Sequence, residues 1–259
     1  MNTETRTILR PAVFLCSSDR RYDVLSCLLP AVFKFWAQCP YTFYIGMNTD
    51  RELSSRATPV LAPASNWQQE LAAQLAQIPE KHIIVLRDEF LFCAPVDQPR
   101  LTQIARTAIT MDLHYLQLMP IKQTMTTRVR GPRSTYTRPD VRRMPAGYPN
   151  YCGLQASIWR KSYLESLLTK PQSLREFEQQ SPPDAGHCAI THSPPIQYRQ
   201  MLKREYWLPD AAPLLKRAGL PADLGNRPVW SKSTYLRMYV DRIRQTLFGV
   251  PTGAEQTVE

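Results

Sequence analysis

An α/β fold, a single domain with helices flanking a mostly parallel central sheet, is what this sequence predicts, on three observations. Short apolar runs rich in Val, Ile, Phe and Tyr recur along residues 11–119, and segments with helical spacing of apolar side chains alternate with them. The chain has 259 residues and is 43% apolar, ample for one packed core.

Residues 11–16 (PAVFLC) are the first strand. After SSDRR, Leu25, Leu28, Leu29, Val32, Phe33 and Trp36 lie on one stripe of a helix in which Pro30 is expected to introduce a kink. Residues 41–46 (YTFYIG) are the second strand. Ser65 or Asn66 then caps a helix with Trp67, Leu71, Leu75 and Ile78 on one face, and Pro79 ends it. The run IIVLRDEFLF, residues 83–92, is the third strand, and Asp97 caps a helix that turns Leu101, Ile104 and Ala108 inward. Residues 114–119 (HYLQLM) make a fourth strand.

Lys and Arg outnumber Asp and Glu by 32 to 22, so the net charge of +10 favours polyanions, phosphorylated ligands or an anionic membrane surface. The six cysteines are scattered without a C-x-x-C pair, which fits reduced thiols inside a cell better than a disulfide framework or a zinc site. No stretch of eighteen apolar residues occurs, and the expected location is cytoplasmic.

In open sheets of this kind ligands bind beyond the carboxyl ends of the strands. Ser17, Ser18 and Asp19 follow the first strand, Asn48 and Asp50 the second, and Asp88 and Glu89 interrupt the third, all on one rim. Two ionised carboxylates at the end of a buried strand are costly unless Arg87, another basic side chain or a bound cation meets them. The ordinary explanation of such a pair is an ion pair or a helix cap. Its place on the ligand rim of a basic chain suits an anionic donor instead.

The segments NWQQEL, KHIIVLRDEFLFCAPVD, YCGLQASIWRKSYLESLL and SLREFE together resemble bacterial GT-A-type glycosyltransferases of surface-polysaccharide (lipopolysaccharide, capsule or exopolysaccharide) synthesis. In that family a Trp-led helix precedes a strand ending in Asp-Asp-Phe, then Pro-Val-Asp; a later Leu-Gln-x-x-x-Trp segment precedes a helix and a Trp-Glu-Phe-Glu box. Here Asp88, Glu89 and Phe90 fall in step with the first motif and Pro95, Val96 and Asp97 with the second. Leu154, Gln155 and Trp159 match the later segment, and Glu176, Phe177 and Glu178 the last box. The likeness spans residues 13–207. Glu89 replaces an Asp, Arg175 stands where Trp is usual, and residues 203–207 (KREYW) match the family's basic Gly-Lys-Trp ending only loosely.

The resemblance implies a GT-A-like, Rossmann-like domain over residues 1–210 and a helical extension over residues 211–259. It implies transfer of a sugar from a nucleotide-sugar donor to a saccharide acceptor, free or lipid-linked. Donor contacts are expected from Ser17, Ser18, Asp19, Asn48, Asp88, Arg130 and Arg133, and a divalent cation, manganese or magnesium, at Asp88 and Glu89. The departing diphosphate gains negative charge, which a divalent cation and basic side chains meet best. Adjacent residues on a regular strand point to opposite faces, so convergence of Asp88 and Glu89 requires a turn. His187 and His192 are further candidate ligands, although neither shows tight metal spacing.

An inverting transfer also needs a general base. Ser173 followed three residues later by Glu176 is a capping-box pattern, which assigns Glu176 a structural task. Glu178 has no such task and is the candidate base, as the resemblance also implies.

Residues 127–143 carry six Arg against one Asp and two prolines and read as a long basic loop, suited to a donor diphosphate, an acidic acceptor or single-stranded nucleic acid. No recognisable nucleic-acid module accompanies it. Near the end, Leu236, Tyr239, Val240, Ile243 and Leu247 share a helical stripe with Lys232, Arg237, Arg242 and Arg244 elsewhere around it. That helix packs on its own domain or rests on anionic lipid at the inner face of the cell membrane. The rival readings are a non-catalytic basic module for nucleic acid or acidic glycan, and a nucleotidyltransferase using the same rim.

Overall fold

The computed structural model describes residues 10–51, 53–63, 65–119, 136–138, 141–144, 152–180, 187–191 and 194–248. Strands β1 (Ala12–Cys16), β2 (Phe43–Met47), β3 (Thr58–Leu61) and β4 (His82–Arg87) pair in parallel in the order β3-β2-β1-β4. On the far side of β4, β9 (Ser157–Arg160) runs antiparallel between β4 and β6 (Tyr115–Gln117). β10 (Cys188–Thr191) is parallel to β6, and β8 (Val141–Arg143) and β7 (Tyr136–Arg138) follow as an antiparallel pair at that edge. The sheet is therefore mostly parallel, as the alternating pattern predicts.

Helices cover both faces, which is why the inner strands are continuously apolar rather than alternating. Val13 and Leu15 of β1, with Ile84 and Leu86 of β4, face one core, formed with α1 (Tyr22–Phe35), α3 (Gln98–Thr110) and α6 (Ala211–Arg217). Ala12, Phe14, Ile83 and Val85 face the other, beside α2 (Trp67–Ala76), α4 (Lys161–Leu167) and α5 (Leu174–Gln179). α1 continues through Pro30, which lies on its exposed face. Asn66, not Ser65, caps α2, accepting from the backbone N–H groups of Gln68 and Gln69.

One stretch differs from its sequence reading. Residues 127–143 are not wholly loop, because Tyr136–Arg138 and Val141–Arg143 are strands. Each is three residues long, too short to show a period against so many arginines. The closing helix α7 (Lys232–Phe248) leaves Leu236 62% and Val240 37% exposed, so these two members of its apolar stripe face outward. Among the described residues no helix is long and apolar enough to cross a membrane.

Candidate active site

β4 ends at Arg87 and β5 (Phe90–Phe92) begins after a turn made by Asp88 and Glu89. β5 leaves the main sheet to pair with β11 (Tyr198–Gln200). This break turns both carboxylates to one side. Asp88 is buried; its Oδ2 accepts from Ser17 Oγ at 2.6 Å, and its Oδ1 lies 3.5 Å from Arg21 Nη1. Glu89 Oε1 lies 2.6 Å from Arg87 Nη2 and 3.7 Å from Arg21 Nη2, while its Oε2 accepts from Gln200 Nε2 at 3.3 Å.

Glu178 reaches the same cluster from α5. Ser173 caps that helix in a full capping box with Glu176, which is exposed. Phe177 is buried and meets the Trp67 ring edge-on at 5.4 Å, while Trp67 Nε1 donates to the Gln172 carbonyl. Pinned in this way, α5 directs Glu178 inward, where its Oε1 accepts from Arg87 Nη1 at 3.3 Å and its carboxylate meets the backbone of Leu154. Segments separated by about a hundred residues in the chain thus meet at one carboxylate, including three of the four quoted for the family resemblance.

The cluster extends outward through residues not singled out in the sequence. β12 (Leu202–Lys203) and β13 (Tyr206–Trp207) form a hairpin whose two central residues, Arg204 and Glu205, have φ of 49° and 64°. That geometry normally selects Asn or Gly and costs on the order of 1 kcal/mol or more at each bulkier residue. The turn brings Glu205 onto both Arg21 and Arg227. Arg227 in turn forks onto Asp23 with two 2.8 Å hydrogen bonds and donates to the Arg20 carbonyl.

Five carboxylates (Asp23, Asp88, Glu89, Glu178, Glu205) therefore share three guanidiniums (Arg21, Arg87, Arg227), leaving the cluster short of positive charge. Burial raises the pKa of Asp88 above the ordinary 3.8, against the opposing pull of Arg21 and the Ser17 hydroxyl. Burial likewise raises Glu178 above 4.5; Arg87 opposes this and Glu89 adds to it. Burial works against the charged form of Arg87, but Glu89 and Glu178 outweigh it and hold the guanidinium firmly protonated.

A divalent cation such as magnesium or manganese needs hard oxygen donors. Asp88 and Glu89 offer hard oxygen donors on one side of a turn, in a cluster lacking positive charge, and Arg21 approaches them only at 3.5 and 3.7 Å while making its short contact with Glu205. Among the described residues no group of three His, Cys, Asp or Glu side chains is placed to hold a metal. Two carboxylates are too few for an all-protein cage, so a cation here would have to complete its shell with ligand phosphates.

The other candidates divide. Asp19 and Asn48 do sit together, but they lock each other: Asp19 Oδ1 accepts from the Asn48 and Thr49 backbone N–H groups at 2.8 and 3.2 Å, and Asn48 Oδ1 accepts from Asp19 N. Burial opposes ionisation of Asp19, yet these hydrogen bonds and Arg51 pull its pKa below 3.8. Ser18 begins the short turn Asp19–Arg21 and makes no side-chain cap bond. His187 immediately precedes β10, three strands from β4 and at the amino end of a strand that runs in the same direction as β4, its ring 4.7 Å from that of His114, so it is not near Asp88. Arg130, Arg133 and His192 lie outside the described residues. Arg21, Glu205 and Arg227 escaped sequence reasoning; only Arg21, two residues beyond Asp19 on the rim, left a signal there.

Fold and rim together define an α/β protein with a charged cluster where open sheets bind ligands. No family model matches the chain, and no curated protein matches it. Among solved structures it is similar to S. aureus TarS at 10% identity and a TM-score of 0.44, over 96% of this chain and 46% of that one. It is also similar to the galactosyltransferase LgtC in complex with donor and acceptor sugar analogues, at 9% identity and a TM-score of 0.40, over 95% of this chain and 98% of that one. An active-site mutant of LgtC matches over the same shares with the same identity and score.

Proposed function

We propose that this chain is a glycosyltransferase that moves a sugar from a nucleotide-sugar donor to a saccharide acceptor. The observation that carries this reading is the convergence of Asp88, Glu89 and Glu178 with Arg21 and Arg87 at the carboxyl end of β4. Arg130 and Arg133, the donor contacts expected from the basic segment, would meet the phosphate charge that grows as the donor bond breaks, while Arg21 and Arg87 neutralise the carboxylates beside it. Asp88 and Glu89 would hold a manganese or magnesium ion, which when bound supplies further charge to the leaving diphosphate. Glu178, buried enough to be a better proton acceptor than a free glutamate, takes the proton of the attacking hydroxyl. Ser17 orients Asp88 through its 2.6 Å hydrogen bond. The donor domain is taken as residues 1–210 and the helical extension as residues 211–259. A role in surface-polysaccharide synthesis rests on the motif resemblance, and a lipid-linked acceptor on that resemblance and the outward Leu236 and Val240.

The test is a thermal-shift panel of nucleoside diphosphates with manganese and with chelator. A ligand that binds the native state raises its melting temperature, and the largest rise is expected with diphosphate and manganese together. Asp88→Asn and Glu89→Gln should each abolish that cooperative rise. Variants that bind diphosphate and manganese like the parent would refute the assignment of this pair. Release of pyrophosphate with a nucleotidyl product would instead favour the nucleotidyltransferase.

A further inference from the structure

Beside the acidic cluster lies a cleft of a different character. It runs along β11 in two lobes that share Arg199, each of about 510–520 Å³. The first lobe is lined by Arg199, Gln200, Asp210, Lys232, Tyr235 and Leu236, and the second adds Lys34, Cys93 and Arg217. Gln200 belongs to both regions, because its amide donates to Glu89. The first lobe therefore opens directly beside the acidic pair.

The cations here are available. Arg199, Arg217 and Lys232 are exposed and make no ion pair among the described residues, whereas Arg21, Arg87 and Arg227 are all matched by carboxylates. Lys34 is committed, its ammonium donating to the Ala218 carbonyl at the end of α6. The remaining lining is not that of a bare phosphate site. Tyr235, Leu236, Leu208 and Pro209 provide aromatic and apolar surface, and Asp210 a hydrogen-bond acceptor. Flat apolar surface with a few polar groups suits a pyranose ring, and unpaired guanidinium and ammonium groups suit an anionic substituent on it.

We propose that this cleft seats an anionic saccharide, one bearing a phosphate or carboxylate, as the acceptor of the transfer. Arg199 and Lys232 hold the anion, Tyr235 lies against the sugar, and the reacting hydroxyl points past Gln200 toward Glu178. The acceptor role rests on the glycosyl-transfer reading; binding at this cleft does not.

The test is titration of the whole chain, by calorimetry or saturation-transfer NMR, with a phosphorylated disaccharide, a uronic-acid disaccharide, the neutral parent disaccharide and inorganic phosphate. At least one anionic disaccharide should bind about 10-fold or more tightly than the neutral one, and the two anionic arms distinguish phosphate from carboxylate. The double variant Arg199→Gln, Lys232→Gln should lose that advantage while keeping its melting temperature and its affinity for a nucleoside diphosphate. Tyr235→Ala should weaken the saccharides but not inorganic phosphate. Equal binding of neutral and anionic disaccharides, full affinity in the double variant, inorganic phosphate binding as tightly as the sugars, or loss of nucleoside diphosphate binding in the double variant would each overturn the proposal. A parent protein that binds anionic saccharides but no nucleoside diphosphate would uphold the cleft and defeat the transfer reading.

Discussion

The acidic cluster at the end of β4 and the cleft along β11 lie on either side of Gln200, yet they treat positive charge in opposite ways. In the cluster every arginine is shared between carboxylates; Arg87 alone serves both Glu89 and Glu178. In the cleft Arg199, Arg217 and Lys232 stand exposed without an ion pair among the described residues. Buried charges without partners are expensive, whereas exposed ones are solvated by water at little cost. The first region therefore binds stability and function together. The second is free to be tuned for ligand alone.

The sharpest way to break this contrast is to remove one arginine from each side. Arg87→Met leaves Glu89 and Glu178 without their closest cation in a mostly buried setting and should cost about 3–5 kcal/mol in denaturant unfolding. Arg199→Gln should stay within about 0.5 kcal/mol of the parent. Similar losses in both would erase the distinction. Arg227→Ala should fall between them, at roughly 1–2 kcal/mol, because its partners Asp23 and Glu205 are 39% and 57% exposed and much of the pairing is screened.

Acid separates the same groups by sign. The Arg227 hydrogen bonds lower the Asp23 pKa below 3.8, so the stability it contributes is present above that value and lost only as pH falls through its folded pKa. Burial raises Glu178 above 4.5, so its basic form disappears at a higher pH. A pH–rate profile should show activity falling on the acid side before the melting temperature responds to loss of the Asp23 pairing. Coincident loss of both would contradict this ordering. The smallest effect is expected for Glu176→Gln, which touches only the exposed cap of α5 and should lower the melting temperature slightly.

Much of this was legible in the sequence for a physical reason. Long apolar periods and cap residues are local signals, so β1, α1, α2, β4 and α3 were readable, as was the capping box at Ser173. β3, with only Val60 buried and Pro59 within it, carries no alternation. β9 is four residues that run straight into α4, and its apolar character merges with that helix. The acid pair was visible because carboxylates after a buried strand violate local expectation. Its partners were not: Arg21, Glu205 and Arg227 are joined across as many as 184 residues only by the folded chain, through a hairpin turn whose left-handed Arg204 and Glu205 carry no glycine to announce it.

The account turns on Glu178 as the group that accepts the acceptor's proton, and one pair of substitutions tests it most directly. Glu178→Gln keeps the size and most hydrogen bonding of the side chain but cannot accept a proton, so turnover in a sugar-transfer assay should fall by about 10²- to 10⁴-fold while nucleoside diphosphate affinity stays near the parent's. Glu176→Gln, two residues away on the same helix, should retain turnover close to the parent's. A Glu178→Gln protein that transfers sugar at the parental rate would contradict the account.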